Sequence, residues 1–127
     1  MIKNILIVDD DPVQIRFLSE RLSHNGYQVV SALEAAEGLQ LAMDQQPDLI
    51  LLDVMMPIIN GYNFCHLLKF QKDKKNIPII LVTARDDEED IKIGMEMGAD
   101  AYIIKPVEIK SLIHTIKLLE TKGQERL

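Results

Sequence analysis

The sequence has little cysteine, little basic charge and no long hydrophobic run. Cys65 is the only cysteine in 127 residues. One thiol excludes an internal disulfide framework and a multi-cysteine zinc site, and it suits a reducing, cytoplasmic setting. Lysine and arginine number 14 against 20 aspartates and glutamates, for a formal net charge of -6. An acidic surface argues against contact with a nucleic-acid backbone by this domain, though not by a partner. The apolar stretch near the start ends at Asp9, too short for a signal-peptide core, and no segment reaches membrane length without a charge. No repeat, low-complexity tract or internal domain break stands out. The length is that of one ordinary domain with a core of its own.

Five short apolar runs are present: Asn4–Val8, Tyr27–Ala32, Asp48–Leu52, Ile77–Val82 and Asp100–Ile104. Three of them are almost continuous hydrophobics, as in strands buried on both faces of a parallel sheet. The segments between them carry helical spacing. Ile15, Leu18 and Leu22 form one stripe, and Ile109, Leu112, Ile113 and Ile116 form another. Strand and helix therefore alternate five times, which predicts a doubly wound α/β domain with helices on both faces of a parallel sheet. Pro12, Asn25-Gly26, Pro47, Gly61 and Gly98 all fall at predicted boundaries. The domain is expected over residues 1–120, with 121–127 a polar tail or the start of a linker.

Ligands of doubly wound sheets bind at the carboxyl ends of the strands. Here those ends carry Asp9-Asp10-Asp11, Asp53, Thr83-Ala84-Arg85 and Lys105-Pro106. Several carboxylates in one crevice repel each other unless a cation joins them. Their hard oxygens suit Mg²⁺, with Mn²⁺ as an alternative. Lys105 can pair with a carboxylate or a phosphoryl oxygen, and Thr83 can hydrogen-bond to one. A metal ion, a lysine and a hydroxyl around a carboxylate nucleophile are the parts that phosphoryl transfer requires. Each aspartate alone would more often be a turn or helix cap. The joint occurrence of aspartates, Thr83 and Lys105 across four strand ends favours a site.

The chain resembles the receiver domain of two-component response regulators. The matching pieces are ILIVDDDP at 5–12, LILLDVMMP at 49–57, IILVTA at 79–84 and GADAYIIKP at 98–106. The resemblance implies a flavodoxin-like strand order 2-1-3-4-5. It implies Asp53 as phosphoacceptor, and Mg²⁺ held by Asp9, Asp10, Asp53 and the Met55 carbonyl. Thr83 would bond the phosphoryl group beside the Ala84 amide, and Lys105 would pair with a phosphoryl oxygen. The Lys105–Pro106 bond would be cis, and Tyr102 would be the aromatic switch. The donor would be a histidine kinase or a phosphotransfer protein. The face of the fourth helix, fifth strand and fifth helix would regulate a partner or output domain, or form a phosphorylation-dependent homodimer. Such a domain is a signalling switch rather than an enzyme, catalysing only its own phosphorylation and dephosphorylation. Val107 and Asn60 depart from the family's common residues without touching this chemistry, and Met55 and Arg85 hold its variable positions.

Asp11 leaves the register of the acidic pair open by one residue, and a helix cap before Pro12 is the favoured reading. Asp9-Asp10-Asp11-Pro12-Val13 also satisfies the D-x-D-x-[T/V] string of haloacid-dehalogenase phosphatases, with Asp86 and Asp90 as its later pair. That reading leaves Asp53 and Lys105 unexplained. A pseudo-receiver would lack the acceptor, the acidic pair or the lysine, and all are present. His24, His66 and His114 are expected on helix surfaces, and Cys65 in packing. In the fourth helix, Ile91, Met95 and Gly98 are expected to be buried, with Ile93 and Met97 as a second, partly exposed stripe.

Overall fold

The computed structural model describes residues 1–71, 76–84 and 88–125, with 123–125 as backbone only. Arg85 and Asp86 lie outside these residues. The strands are β1 (Asn4–Val8), β2 (Gln28–Ala32), β3 (Leu49–Asp53), β4 (Ile79–Thr83) and β5 (Ala101–Ile104). They alternate with α1 (Pro12–His24), α2 (Ala35–Gln45), α3 (Gly61–Lys69), α4 (Glu88–Glu96) and α5 (Ile109–Glu125). The sheet runs β2-β1-β3-β4-β5 and every pairing is parallel. This is the flavodoxin-like order that the resemblance implies.

The continuous apolar runs are explained by burial on both faces. Leu6, Val8, Ile50, Leu52, Ile79 and Leu81 point to one side, where Ala42, Phe64 and Leu68 of α2 and α3 cover them. Ile5, Ile7, Leu49, Leu51, Ile80 and Val82 point to the other, against Leu18 and Leu22 of α1 and Leu112 and Ile116 of α5. Alternate residues of a strand serve opposite faces, so a doubly covered strand needs apolar side chains throughout.

β4 begins two residues later than the apolar run suggests. Pro78 has no N–H to give the ladder, though its carbonyl accepts from the Ile50 N–H at 3.0 Å. α5 continues helically through the polar residues to Glu125. Asp11 caps α1, its Oδ1 accepting from the Val13 N–H at 3.0 Å, with Pro12 opening the helix. Gly26 takes a φ of +93° after that helix.

α4 differs from the expectation. Met95 is 44% exposed, and the buried residue is Gly94. A Cβ on Gly94 would come within 2.7 Å of the Leu81 side chain. The helix presents its one residue without a side chain to the sheet, so the backbone approaches closely and Met95 turns outward. Ile93 and Met97 are half-buried.

Candidate functional site

β1 and β3 are adjacent, with Val8 opposite Leu52. The chain turns acidic immediately beyond that pair: Asp9 follows β1 and Asp53 closes β3. α1 leaves toward one face and α3 toward the other, so a crevice opens at the carboxyl edge between the two strands.

Asp9 and Asp53 are buried, at 3% and 5% exposure, and Asp10 is exposed. One carboxylate oxygen from each of the three lies within 4.8 Å of the others. Lys105 enters from the end of β5. Its Nζ is 3.4 Å from Asp9 Oδ2 and 3.5 Å from Asp53 Oδ1. The Lys105–Pro106 bond is cis, and the Lys105 N–H donates to the Thr83 carbonyl at 2.7 Å. The second oxygen of Asp9, Oδ1, accepts from the Asp11 N–H at 2.9 Å. Asp11 is thereby a cap and a backbone anchor, while Asp9 and Asp10 face the crevice.

Asp53 is pushed up to about 6. Burial is the main cause, and the Asp9 carboxylate adds to it. Lys105 and the Met55 N–H, which donates to the carboxylate, oppose the rise, and Asp10 adds a smaller upward push. Asp53 is therefore largely ionised at neutral pH, but at a cost. One ammonium does not neutralise three carboxylates. The donors are all hard oxygens, two on buried walls and one facing solvent. Such a set fits a small divalent cation that keeps part of its water shell.

Thr83 ends β4 fully buried, in register with Ile104. Tyr102 lies half-buried on β5, and its phenol hydrogen-bonds with Thr83 and Tyr62. The loop after Asp53 is held by Gly61, whose N–H donates to the Val54 carbonyl at 3.0 Å. A Cβ there would fall 2.6 Å from the Asp53 carbonyl oxygen, so only glycine fits. Asn60, where the family often has aspartate, caps α3 by accepting from the Asn63 N–H at 2.9 Å. Ile58 sits in the same loop at a φ of +70° and is 101% exposed.

Asp9, Asp10, Asp53 and Lys105 thus meet at one edge; Thr83 ends the neighbouring strand β4, and Tyr102 hydrogen-bonds with it. The Met55 side chain is exposed at the rim. His24, His66 and His114 are exposed on helices, and Cys65 is buried with its thiol pushed up to about 11 by desolvation. Sequence reasoning missed the Met55 N–H on the Asp53 carboxylate and the part of Tyr62. Neither leaves a spacing signal, because both depend on how the β3–α3 loop folds back.

A parallel sheet in this order, with an acidic cluster and a lysine at its switch point, defines a doubly wound, flavodoxin-like domain. Comparison with protein families matches the response regulator receiver domain over residues 5–117, and the chain belongs to that family. It is 38% identical over 121 residues to the transcriptional regulatory protein AfsQ1 of Streptomyces coelicolor, covering 95% of this chain and 52% of that protein. It is 38% identical over 112 residues to protein PilH of Pseudomonas aeruginosa, covering 88% of this chain and 93% of that protein. A putative response regulator from Chloroflexus aurantiacus superposes with a TM-score of 0.89 at 34% identity, covering 94% of this chain and 98% of that one. The chain spans about half the length of AfsQ1 and several other curated relatives. The family's role is that of a phosphorylation switch in signalling, and the match leaves the phosphatase reading without support. Among the described residues no helix is long and apolar enough to cross a membrane.

Proposed function

We propose that the chain accepts a phosphoryl group on Asp53 and passes the change to its α4–β5–α5 face. The observation that carries this reading is the convergence of Asp9, Asp10 and Asp53 within 4.8 Å, with Lys105 on two of them. An Asp53 carboxylate oxygen attacks phosphorus, the bond from phosphorus to the donor's nitrogen or oxygen breaks, and the leaving group takes that electron pair. The product is an acyl phosphate. Lys105, which already reaches Asp9 and Asp53, pairs with a phosphoryl oxygen. Thr83 turns its hydroxyl to another, and the Ala84 amide lies beside it. The switch then reads out at Tyr102.

Asp9, Asp10, Asp53 and the Met55 carbonyl would hold Mg²⁺, with Mn²⁺ as a substitute. A bound ion supplies charge neutralisation between the carboxylates and the phosphoryl oxygens. The donor is a histidine kinase or phosphotransfer protein in the cytoplasm. The output is a partner, an attached domain or a homodimer formed through the α4–β5–α5 face. Autodephosphorylation completes the cycle. The domain is taken to span 1–120, with 121–127 a polar tail or the start of a linker into which α5 runs as far as Glu125.

Calorimetric titration tests the metal site. Mg²⁺ should bind the native chain, and Asp10→Ala should weaken it by tenfold or more; unchanged affinity would remove Asp10 from the site. Intact mass after acetyl phosphate treatment should show one added phosphoryl group, dependent on Mg²⁺ and absent in Asp53→Asn.

A further inference from the structure

Thr83 and α4 are joined by a run of hydroxyls that passes through a residue of α3. Tyr62 stands at the second position of α3, and its hydroxyl donates to the Asp90 carbonyl, in the first turn of α4, at 3.0 Å. Tyr62 also hydrogen-bonds with Tyr102, which bonds with Thr83. A phenol has one proton. That of Tyr62 is given to Asp90, so between the two phenols Tyr102 is the donor. The Tyr102 oxygen is then left to accept from the Thr83 hydroxyl. The donors point one way, from Thr83 through Tyr102 and Tyr62 to the α4 backbone, and bonds in such a run strengthen each other.

Packing supports the same path. A Cβ built on Gly94 would lie 3.2 Å from the Tyr62 ring and 3.3 Å from the Tyr102 ring. α4 therefore rests on both rings at once, with no side chain of its own between. Both tyrosines pack on the core cluster that includes Leu81 and Phe64. A change in either ring meets the backbone of α4 directly.

We propose that Tyr62 is a positioning residue that couples the state of Thr83 to the first turn of α4. It rests on the reading of Thr83 as the group that responds at the phosphoryl site. When the Thr83 hydroxyl turns away, Tyr102 loses its donor and the run is released at its origin. The Tyr62–Asp90 bond then holds α4 less firmly, and the helix shifts against the two rings. The α3 tyrosine thereby makes α4 respond to Asp53 without touching it.

The test is a double-mutant cycle on the full chain, read by amide NMR shifts across α4. Thr83→Ala imitates loss of the hydroxyl and should displace the α4 amides in the native background. In the Tyr62→Phe background, which keeps the ring, that displacement should fall to less than half. Tyr102→Phe should interrupt the run in the same way, which guards against a poorly folded Tyr62 variant. A structural bond alone would make Tyr62→Phe shift α4 by a fixed amount and leave the Thr83→Ala response intact. Equal responses to Thr83→Ala in the native, Tyr62→Phe and Tyr102→Phe backgrounds would overturn the coupling. The cycle uses unphosphorylated protein, so its outcome is separate from whether Asp53 accepts phosphate. Acetyl phosphate labelling run beside it should be retained in Tyr62→Phe, while the α4 shifts that follow labelling shrink.

Discussion

At the residue scale, the raised Asp53 adds a definite component to the pH behaviour of the domain. Its folded value of about 6 exceeds the ordinary 3.8, so the folded state binds the extra proton between those values. The stability that this proton contributes is fully present below about 4 and is lost as pH rises through 6. Without metal, urea midpoints should therefore carry a downward component between pH 4 and 6, which Asp53→Asn should remove. Asp53→Asn should also be the more stable protein at pH 7.5, and Mg²⁺ should narrow the difference. A native profile and an Asn profile of equal slope would contradict this assignment. Lys105→Ala removes an opposing cation, so the Asp53 carboxyl titration followed by NMR should move above 6. Ile58 gives a prediction of another kind. A β-branched residue at a φ of +70° is strained by about 1–2 kcal/mol, and at full exposure it gains no burial in return. Ile58→Gly should stabilise the chain by up to about 1 kcal/mol in denaturant unfolding, since glycine's looser unfolded state offsets part of the relief.

At the element scale, helix starts fix the site. Gly61 lets α3 begin against the backbone of Asp53 and Val54, with the hypothetical Cβ at 2.6 Å and 2.7 Å from rigid atoms. Gly61→Ala should cost about 3 kcal/mol, at the upper end for overpacking, because backbone cannot give way as a side chain does. It should also weaken Mg²⁺ binding, since it moves the loop whose Met55 N–H reaches Asp53. Gly94→Ala should cost less. Its nearest neighbour is the end of the flexible Leu81 side chain, and alanine regains about 1 kcal/mol of helix propensity. Both variants are checked by urea unfolding, and equal costs would contradict the distinction between rigid and movable neighbours.

The strands were legible in the sequence because burial on both faces leaves an uninterrupted apolar signature, as in Ile79–Thr83 and Leu49–Asp53. Their ends were legible within a residue or two, and the delay at Pro78 follows from its missing N–H. The acidic residues, Thr83 and Lys105 were legible because each directly ends a strand in a known order. The face of α4 was not. Its apolar residues spread around the helix, and the choice of Gly94 over Met95 depends on how near the backbone comes to Leu81. Tyr62 was also invisible, because its partner Asp90 is 28 residues away and meets it only after α3 and α4 have both docked. The cap at Asn60 was within reach of the sequence, since a polar residue before Gly61 suits a helix start.

At the scale of the whole molecule, the two cores hold β1 and β3 between opposite helix layers, and the carboxyl edge between them is where charge gathers. The net charge of -6 over 127 residues adds to the local repulsion around Asp9, Asp10 and Asp53. The proposed metal binding and phosphorylation of Asp53 would both act on that one edge, and α4 and β5 would carry the result outward. The central claim is that Asp53 takes the phosphoryl group. It is tested most directly by treating the chain with acetyl phosphate and Mg²⁺, reducing the acyl phosphate with borohydride and locating the altered aspartate by peptide mass spectrometry. Modification at Asp53 is the expected result; modification at Asp9 instead, or at no aspartate, would contradict the account.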